Sequence, residues 1–281
     1  MCTYEQRAKC QLCLAKRSSP HFQRLSFNLI REICSYLGAF TLIPCITDSK
    51  LSLYSLQGRL LLTTELPVSF ACHSVVCLGE ITELYVIAAE SRSVYQININ
   101  TIAPVLLPAM TSTRDFPGAL YWNQVLYVFG GVDNHHNEKY SVQEHKWGKT
   151  AQTAYNYMRR SPCRFKDEIY LSGGRNSSGS VEIYNPNRDQ FTQIAGPESF
   201  YLERAVLLVT AKELLWLSSA GKVVHWDREA LQVTVRVKAY RKKDAPWGRA
   251  QVREGSRLYW AKEGRGVFYY DCLRDQVCQL V

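Results

Sequence analysis

Short apolar segments bounded by turn residues recur along the chain at a nearly constant interval. Five of them begin with a pair of apolar residues: LYVIAA (84–89), LYVFGG (126–131), IYLSGG (169–174), LLWLSS (214–219) and LYWAKE (258–263). Their first residues are 42, 43, 45 and 44 positions apart, and a further step of 42 backwards reaches LIPCIT (42–47). A repeat of roughly 40 to 50 residues is typical of a propeller, in which each repeat forms one blade.

A second anchor, most often a tyrosine, follows each of these segments by 11 to 15 residues. The second anchors are YSL (54), YQI (95), YSV (140), YNP (184), WDR (226) and YDC (270). Further apolar segments precede the first anchor and follow the second in the last four repeats, so each repeat predicts four short strands joined by turns. We therefore expect an all-β fold, a six-bladed β-propeller of four-stranded blades. The predicted blades span residues 41–67, 70–110, 116–150, 160–196, 203–237 and 248–281.

Two of the repeats carry a pair of glycines at the end of the second strand. At Gly130-Gly131 and Gly173-Gly174 the backbone has to turn, and a positive φ is expected there because glycine adopts it without strain. Residues 110–147 and 158–191 combine this pair with an apolar strand and a following tyrosine. On these motifs the chain resembles the kelch-repeat proteins over roughly 240 residues. The resemblance implies a propeller that binds a protein or peptide through the loops of one face.

The first 40 residues contain one segment with helical periodicity. In LSFNLIREICSYLG (25–38) apolar residues recur every four positions, with Ser26 as a possible N-cap and Gly38 as the C-terminal stop. We expect one short α-helix before the propeller. Residues 33–37 (ICSYL) resemble the end of the first F-box helix, which implies docking to a ubiquitin-ligase scaffold. A helix that only packs on the rim of the propeller is the alternative.

Charge and hydropathy narrow the class of partner. The formal net charge of +9 admits nucleic acid, an anionic membrane surface or an acidic protein. No apolar run approaches the ~20 residues of a membrane-spanning helix, and the N-terminus has no apolar segment typical of a signal peptide. We expect a cytoplasmic protein, with the nucleus as the alternative, and no membrane partner.

The adjacent residues His135 and His136 are candidates for metal binding, with Asp133 and Glu138 close in sequence. The repeat places them in a loop between the second and third strands. Neighbouring residues at a loop tip point in different directions, unlike the i, i+4 histidines of helical zinc motifs. We therefore expect no metal and no cofactor, and we interpret the two histidines as loop residues that contact a partner.

Catalytic motifs are absent from the sequence. It contains no P-loop, no Gly-x-Ser-x-Gly, no His-Glu-x-x-His and no Asp box. The sequence therefore favours a non-catalytic binding protein. An enzyme with an active site built from separate loops is the remaining alternative, because such a site leaves no linear motif.

Arginines are concentrated on one set of predicted loops. In a four-stranded blade, the loop between strands two and three and the loop to the next blade emerge on the same face. This set contains Arg92, Arg114, Arg159, Arg160, Arg175, Arg204 and Arg265. The arginines either solvate a basic protein or form a cationic mouth for an acidic or phosphorylated segment. On the second interpretation the partner is a protein or acidic peptide, with a ubiquitin-ligase scaffold or the cytoskeleton as its setting and nucleic acid as the weaker candidate.

Overall fold

The structure is a computed structural model that describes most residues from 42 to 280. The described residues are 42–71, 75–79, 83–99, 101–131, 136–154, 162–172, 180–194, 205–210, 212–218, 221–227, 229–230, 232–236, 251–254, 257–262, 265–272, 274 and 276–280. The chain divides into two units, Met1–Thr41 and Leu42–Val281. The first unit, with the predicted F-box-like helix at 25–38, lies outside the described residues.

Strands β1 to β22 form six antiparallel sheets within the described part of the chain. The first sheet has two strands, β1 (Leu42–Ser55) and β2 (Leu60–Phe70). Each of the other five has four strands in chain order, and we number them blades 1 to 5. Blade 1 contains β3 (Val75–Leu78), β4 (Glu83–Ile87), β5 (Val94–Asn98) and β6 (Ala103–Leu106). Blade 2 contains β7 (Gly118–Trp122), β8 (Val125–Phe129), β9 (Glu138–Ser141) and β10 (Lys146–Lys149). Blade 3 contains β11 (Cys163–Phe165), β12 (Glu168–Ser172), β13 (Val181–Asn185) and β14 (Gln190–Ile194). Blade 4 contains β15 (Val206–Val209), β16 (Glu213–Leu217), β17 (Val223–Asp227) and β18 (Val233–Arg236). Blade 5 contains β19 (Gln251–Glu254), β20 (Arg257–Lys262), β21 (Gly266–Asp271) and β22 (Gln276–Leu280).

The position of a strand within its blade follows from its sequence. The second strands, such as VLYVF in β8, are largely apolar at consecutive positions, and each has four consecutive buried residues. Both faces of such a strand are covered by neighbouring blades, so the alternation of a half-exposed strand is lost. The fourth strands lie at the open side of the blade, as in APVL of β6 and KWGK of β10, where three of the four residues are exposed.

Large aromatic side chains fill the spaces between adjacent blades. Between blades 2 and 3, Phe129 and Tyr184 are both fully buried and meet edge to face at 5.9 Å. Between blades 3 and 4, the buried indole of Trp216 donates a hydrogen bond from Nε1 to Ser172 Oγ. Aromatic pairs of this geometry add to the energy of burial, and a buried indole N–H needs an acceptor. The core of the propeller is therefore a series of interfaces between sheets.

The two-stranded sheet occupies the space between blade 5 and blade 1. On one side, Ile43 and Cys45 of β1 pack in one buried cluster with Tyr259 and residues of β21. On the other side, Phe70 of β2 meets Tyr95 of β5 edge to face at 5.3 Å. The five blades and this sheet thus close into a ring of six sheets.

The predicted all-β propeller of four-stranded blades is confirmed, but the predicted number of six such blades is wrong. The described residues form five, and the sixth position holds only two strands. The anchors LIPCIT (42–47) and YSL (54) were expected to lie on separate strands, yet β1 runs through the polar residues 48–50 between them. Asp48 adopts a φ of 51°, and the register shifts between Asp48↔Phe70 and Lys50↔Glu65. The extra residues of this irregularity, 66–69, belong to β2, and the two predicted strands are one continuous strand in β1.

Candidate functional site

One end of the propeller carries the loops between second and third strands together with the loops that lead to the next blade. Because each blade is an antiparallel meander, these two kinds of loop emerge at the same end. In blade 1 they also contact each other: Ser91 and Arg114 form an isolated β-bridge, and the Met110 N–H donates to the Arg92 carbonyl at 3.0 Å. We call this end the inter-blade face.

A buried ion pair joins the loop after blade 1 to blade 2. Arg114 and Glu138 are each 1% exposed, and the guanidinium nitrogen Nη2 lies 2.7 Å from Glu138 Oε1. The other nitrogen, Nη1, donates to the carbonyls of Gly130 at 2.5 Å and His136 at 2.7 Å. The second carboxylate oxygen, Oε2, accepts the Thr111 N–H at 2.8 Å. One guanidinium and one carboxylate thus connect three loop segments of the face.

The surroundings of this ion pair favour its charged form. Burial lowers the pKa of the Arg114 guanidinium, and its bond to Glu138 opposes that shift; arginine stays protonated in proteins even so. Burial raises the pKa of the Glu138 carboxyl, but the hydrogen bonds from the Thr111 N–H and from Arg114 outweigh it and hold the pKa below its usual value. A carboxylate that is both paired and hydrogen-bonded remains ionised at neutral pH.

Asn137 makes the next connection, from the second–third loop of blade 2 to the loop that follows the blade. It is 1% exposed, accepts the Gly130 N–H at 3.1 Å through Oδ1 and donates from Nδ2 to the Ala151 carbonyl at 2.8 Å. The turn it supports has φ values of 58° at Gly130 and 130° at Gly131. The positive φ predicted for this glycine pair is confirmed, and a Cβ at Gly131 would lie 3.2 Å from the Asp115 carbonyl oxygen.

Blade 3 repeats part of the same arrangement around Glu182. This residue is 2% exposed, and its Oε1 accepts the Ala154 N–H at 2.9 Å. Asp189 accepts the Ala151 N–H at 3.0 Å and the Tyr184 hydroxyl at 2.6 Å. Oε2 of Glu182 is buried, and none of the residues that the structure describes donates a hydrogen bond to it. An unsatisfied buried acceptor generally costs about 1–3 kcal/mol, so a further donor at this oxygen would be stabilising.

The structure places the predicted partner-binding residues in three groups. Arg92 and His136 are exposed, and His136 Nδ1 lies 3.3 Å from Gln152 Nε2. Arg265 is half-buried, with its guanidinium 5.9 Å from the centre of the Phe268 ring. Arg114 was expected on the surface, and that expectation is wrong because the ion pair buries it. The remaining predicted residues, namely His135, Arg159, Arg160, Arg175 and Arg204, lie outside the described residues.

The sequence interpretation missed the buried polar residues that hold the loops. A signal was present, because a glutamate stands two positions before the tyrosine of the second anchor in EKY (138–140) and VEIY (181–184). These are the two repeats that carry the glycine pair. A glutamate repeated at a buried register position indicates an internal contact, whereas a glutamate on a loop is expected to be solvated.

Neither a metal cluster nor a membrane span is found in the part of the chain that the structure covers. Within it, no three His, Cys, Asp or Glu side chains are close enough to hold a metal ion. The same residues include no helix with the length and hydropathy needed to cross a bilayer.

Comparison with known proteins supports a kelch-like β-propeller. No protein-family model matches the chain. The chain is 31% identical to beta-scruin of Limulus polyphemus, a kelch-repeat protein, over 99 residues that cover 30% of this chain and 11% of beta-scruin. The solved structure of YjhT is similar with a TM-score of 0.54 and 13% identity, over 70% of this chain and 74% of that one. The similarity to YjhT concerns the fold alone, and the match to beta-scruin covers about a ninth of that protein.

Proposed function

We propose that this kelch-like β-propeller is a non-catalytic protein-binding module that recognises its partner through the inter-blade face. The observation that carries the proposal is the set of buried polar side chains beneath that face. Arg114, Asn137, Glu138 and Glu182 hold the backbone of the surrounding loops. Loops fixed in this way lose little conformational entropy on binding, so their exposed side chains are preorganised for recognition.

The exposed side chains on this face favour an acidic or phosphorylated protein segment as the ligand. Arg92 is exposed and Arg265 is half-buried, and the loops to which the repeat assigns Arg159, Arg160, Arg175 and Arg204 belong to the same set. Guanidinium groups bind carboxylates and phosphates with two parallel hydrogen bonds, which gives both affinity and orientation. In this proposal the histidines at 135 and 136 contribute polar contacts and no metal.

Charge reversal on the two ends of the propeller tests the proposal. The first variant carries three changes to Glu, at Arg159, Arg175 and Arg265. The control variant carries three changes to Glu on exposed loop residues at the opposite end, at Arg188, Lys212 and Arg274. Both variants change the net charge equally. We expect the first variant alone to lose binding to acidic peptides and phosphopeptides, measured by fluorescence anisotropy. Equal loss in both variants, or binding of oligonucleotides in preference to peptides with a steep salt dependence, would refute it.

Two biological settings fit such a module. The F-box-like segment 33–37 supports a substrate adaptor of a ubiquitin ligase in the cytoplasm or nucleus, whereas the resemblance to kelch proteins also supports a scaffold on the cytoskeleton. Deleting residues 1–40 separates the two settings. An adaptor is expected to lose co-precipitation of cullin components and keep its substrate, while a scaffold is expected to keep all of its partners.

A further inference from the structure

We propose that an arginine side chain of the partner binds where the loop after blade 2 meets blade 3, and that its guanidinium donates to Oε2 of Glu182. The inference rests on the proposed protein-binding function and specifies the chemistry of one contact within it. Glu182 is 2% exposed, and within the described part of the chain only one of its two carboxylate oxygens has a hydrogen-bond partner. A buried carboxylate in this state needs a further donor, and a cation is the donor that best offsets its charge.

Blade 2 contains the same carboxylate with its cation in place. Glu138 accepts the Thr111 N–H, and Glu182 accepts the Ala154 N–H. The two glutamates are 44 residues apart and the two donors 43, which matches the period of the blades. In blade 2 the remaining oxygen receives Arg114, and that guanidinium also satisfies two loop carbonyls. The internal repeat thus shows which group completes this kind of carboxylate site.

The repeat does not supply an arginine at the matching position of blade 3. Arg114 stands three residues after Thr111, whereas the third residue after Ala154 is Tyr157. The carboxylate lies directly beneath a surface loop, because Ala154, whose N–H it accepts, is itself exposed. Gln152, two residues earlier, is exposed and adjoins the exposed His136. Glu182 is thus hydrogen-bonded to an exposed residue of the inter-blade face, on which the partner is proposed to bind.

The contact also defines the partner more closely. A guanidinium is planar, is weakly hydrated and presents several donors, so it tolerates burial against a carboxylate better than the ammonium of lysine does. Together with the arginines of the face, this predicts a partner segment in which an arginine is flanked by acidic residues.

Peptide titrations test the contact directly. The probes are acetyl-Gly-Arg-Gly-amide and the same peptide with citrulline, which has the shape of arginine without its charge. They are titrated by NMR into the wild-type chain, into Glu182→Gln and into the control Glu144→Gln, a glutamate exposed on another loop. We expect the wild type and the control to prefer arginine by about tenfold or more, a difference that corresponds to about 1.4 kcal/mol. Glu182→Gln, which keeps an acceptor for the Ala154 N–H, is expected to lose that preference. Equal affinities for both peptides in the wild type would overturn the inference.

The chain's own arginines are the competing cations. Arg159 and Arg160 follow Ala154 by five and six residues. Double-mutant cycles of Glu182→Gln with Arg159→Gln and with Arg160→Gln, measured by urea unfolding, report whether either residue couples to the carboxylate. Coupling in the free protein would assign the site to an internal ion pair and overturn the inference. Acidic-peptide binding is also measured on the wild type, so equal affinity for the arginine and citrulline peptides together with intact acidic-peptide binding rejects this contact and leaves the proposed function standing.

Discussion

Replacing Arg114 with methionine should strongly destabilise the propeller. The change keeps most of the apolar volume and removes the guanidinium. Among the described residues, it leaves the Glu138 carboxylate, which is 1% exposed in the wild type, with its bonds to Thr111 and Ser112. Breaking a buried ion pair by removal of one partner typically costs about 3–5 kcal/mol, because an uncompensated charge remains. A domain of this size loses roughly 2–4 °C in melting temperature for each kcal/mol, so we expect a decrease of about 6–20 °C.

The assay is urea unfolding followed by tryptophan fluorescence, with three comparisons. Arg92→Met changes an exposed arginine of the same face and should alter the free energy of unfolding by no more than about 0.5 kcal/mol. Arg114→Lys keeps a charge but loses the planar fork, and should fall between wild type and Arg114→Met. The double variant Arg114→Met with Glu138→Leu should recover most of the loss, since no unpaired charge remains. A loss below about 1 kcal/mol for Arg114→Met, or strictly additive losses in the double variant, would contradict a buried charge pair.

Three further predictions concern the turn of the first sheet, the acid limit of stability and the loop histidines. Gly58→Ala should lower the free energy of unfolding by about 1–3 kcal/mol, because its φ is 82° and a Cβ would lie 2.5 Å from that of Leu280; Gly148→Ala, with open space around it, should be nearly neutral in the same urea titration. The folded-state pKa of Glu138 is depressed from its ordinary value of 4.5. The contribution of its carboxylate to the free energy of unfolding is therefore complete above pH 4.5 and is lost as the pH falls through the lower pKa of the folded state. Unfolding titrations between about pH 5 and pH 2 should therefore show a shallower loss of stability in Glu138→Gln than in wild type, and identical slopes would count against the assigned shift. Replacing the histidine pair at 135–136 with alanines should leave folding unchanged and should leave the metal content, measured by mass spectrometry, unchanged as well. If the wild type binds stoichiometric zinc or copper and the double variant does not, the prediction is wrong.

The blades were predictable because their signal is repeated and local. Apolar runs such as LYVFGG specify a strand and its turn within six residues, and the period then orders the units along the chain. The first sheet was not predictable in the same way. The residues 48–50 are polar and would suit a turn, and only the pairing of β1 with β2 keeps them within one continuous strand.

The buried ion pair could not be predicted from the sequence for a different reason. Arg114 and Glu138 are 24 residues apart and belong to successive repeats, so no local pattern joins them. An isolated arginine next to a predicted loop is more often solvated than buried, and the interpretation of Arg114 as a surface cation followed from that rule. Comparing the buried register positions of the repeats with one another would have identified Glu138 and Glu182 as a related pair.

The packing of the first sheet against the last blade sets an order of events during biosynthesis. The turn at Gly58 contacts Leu280, and Ile43 and Cys45 pack in one cluster with Tyr259. More than 200 residues must therefore leave the ribosome after the first hairpin before its apolar side is covered, whereas each blade can begin to pack on the one before it. Contacts of such long sequence separation form slowly. The nascent hairpin is thus the segment most exposed to aggregation, and the one for which a chaperone would be needed longest.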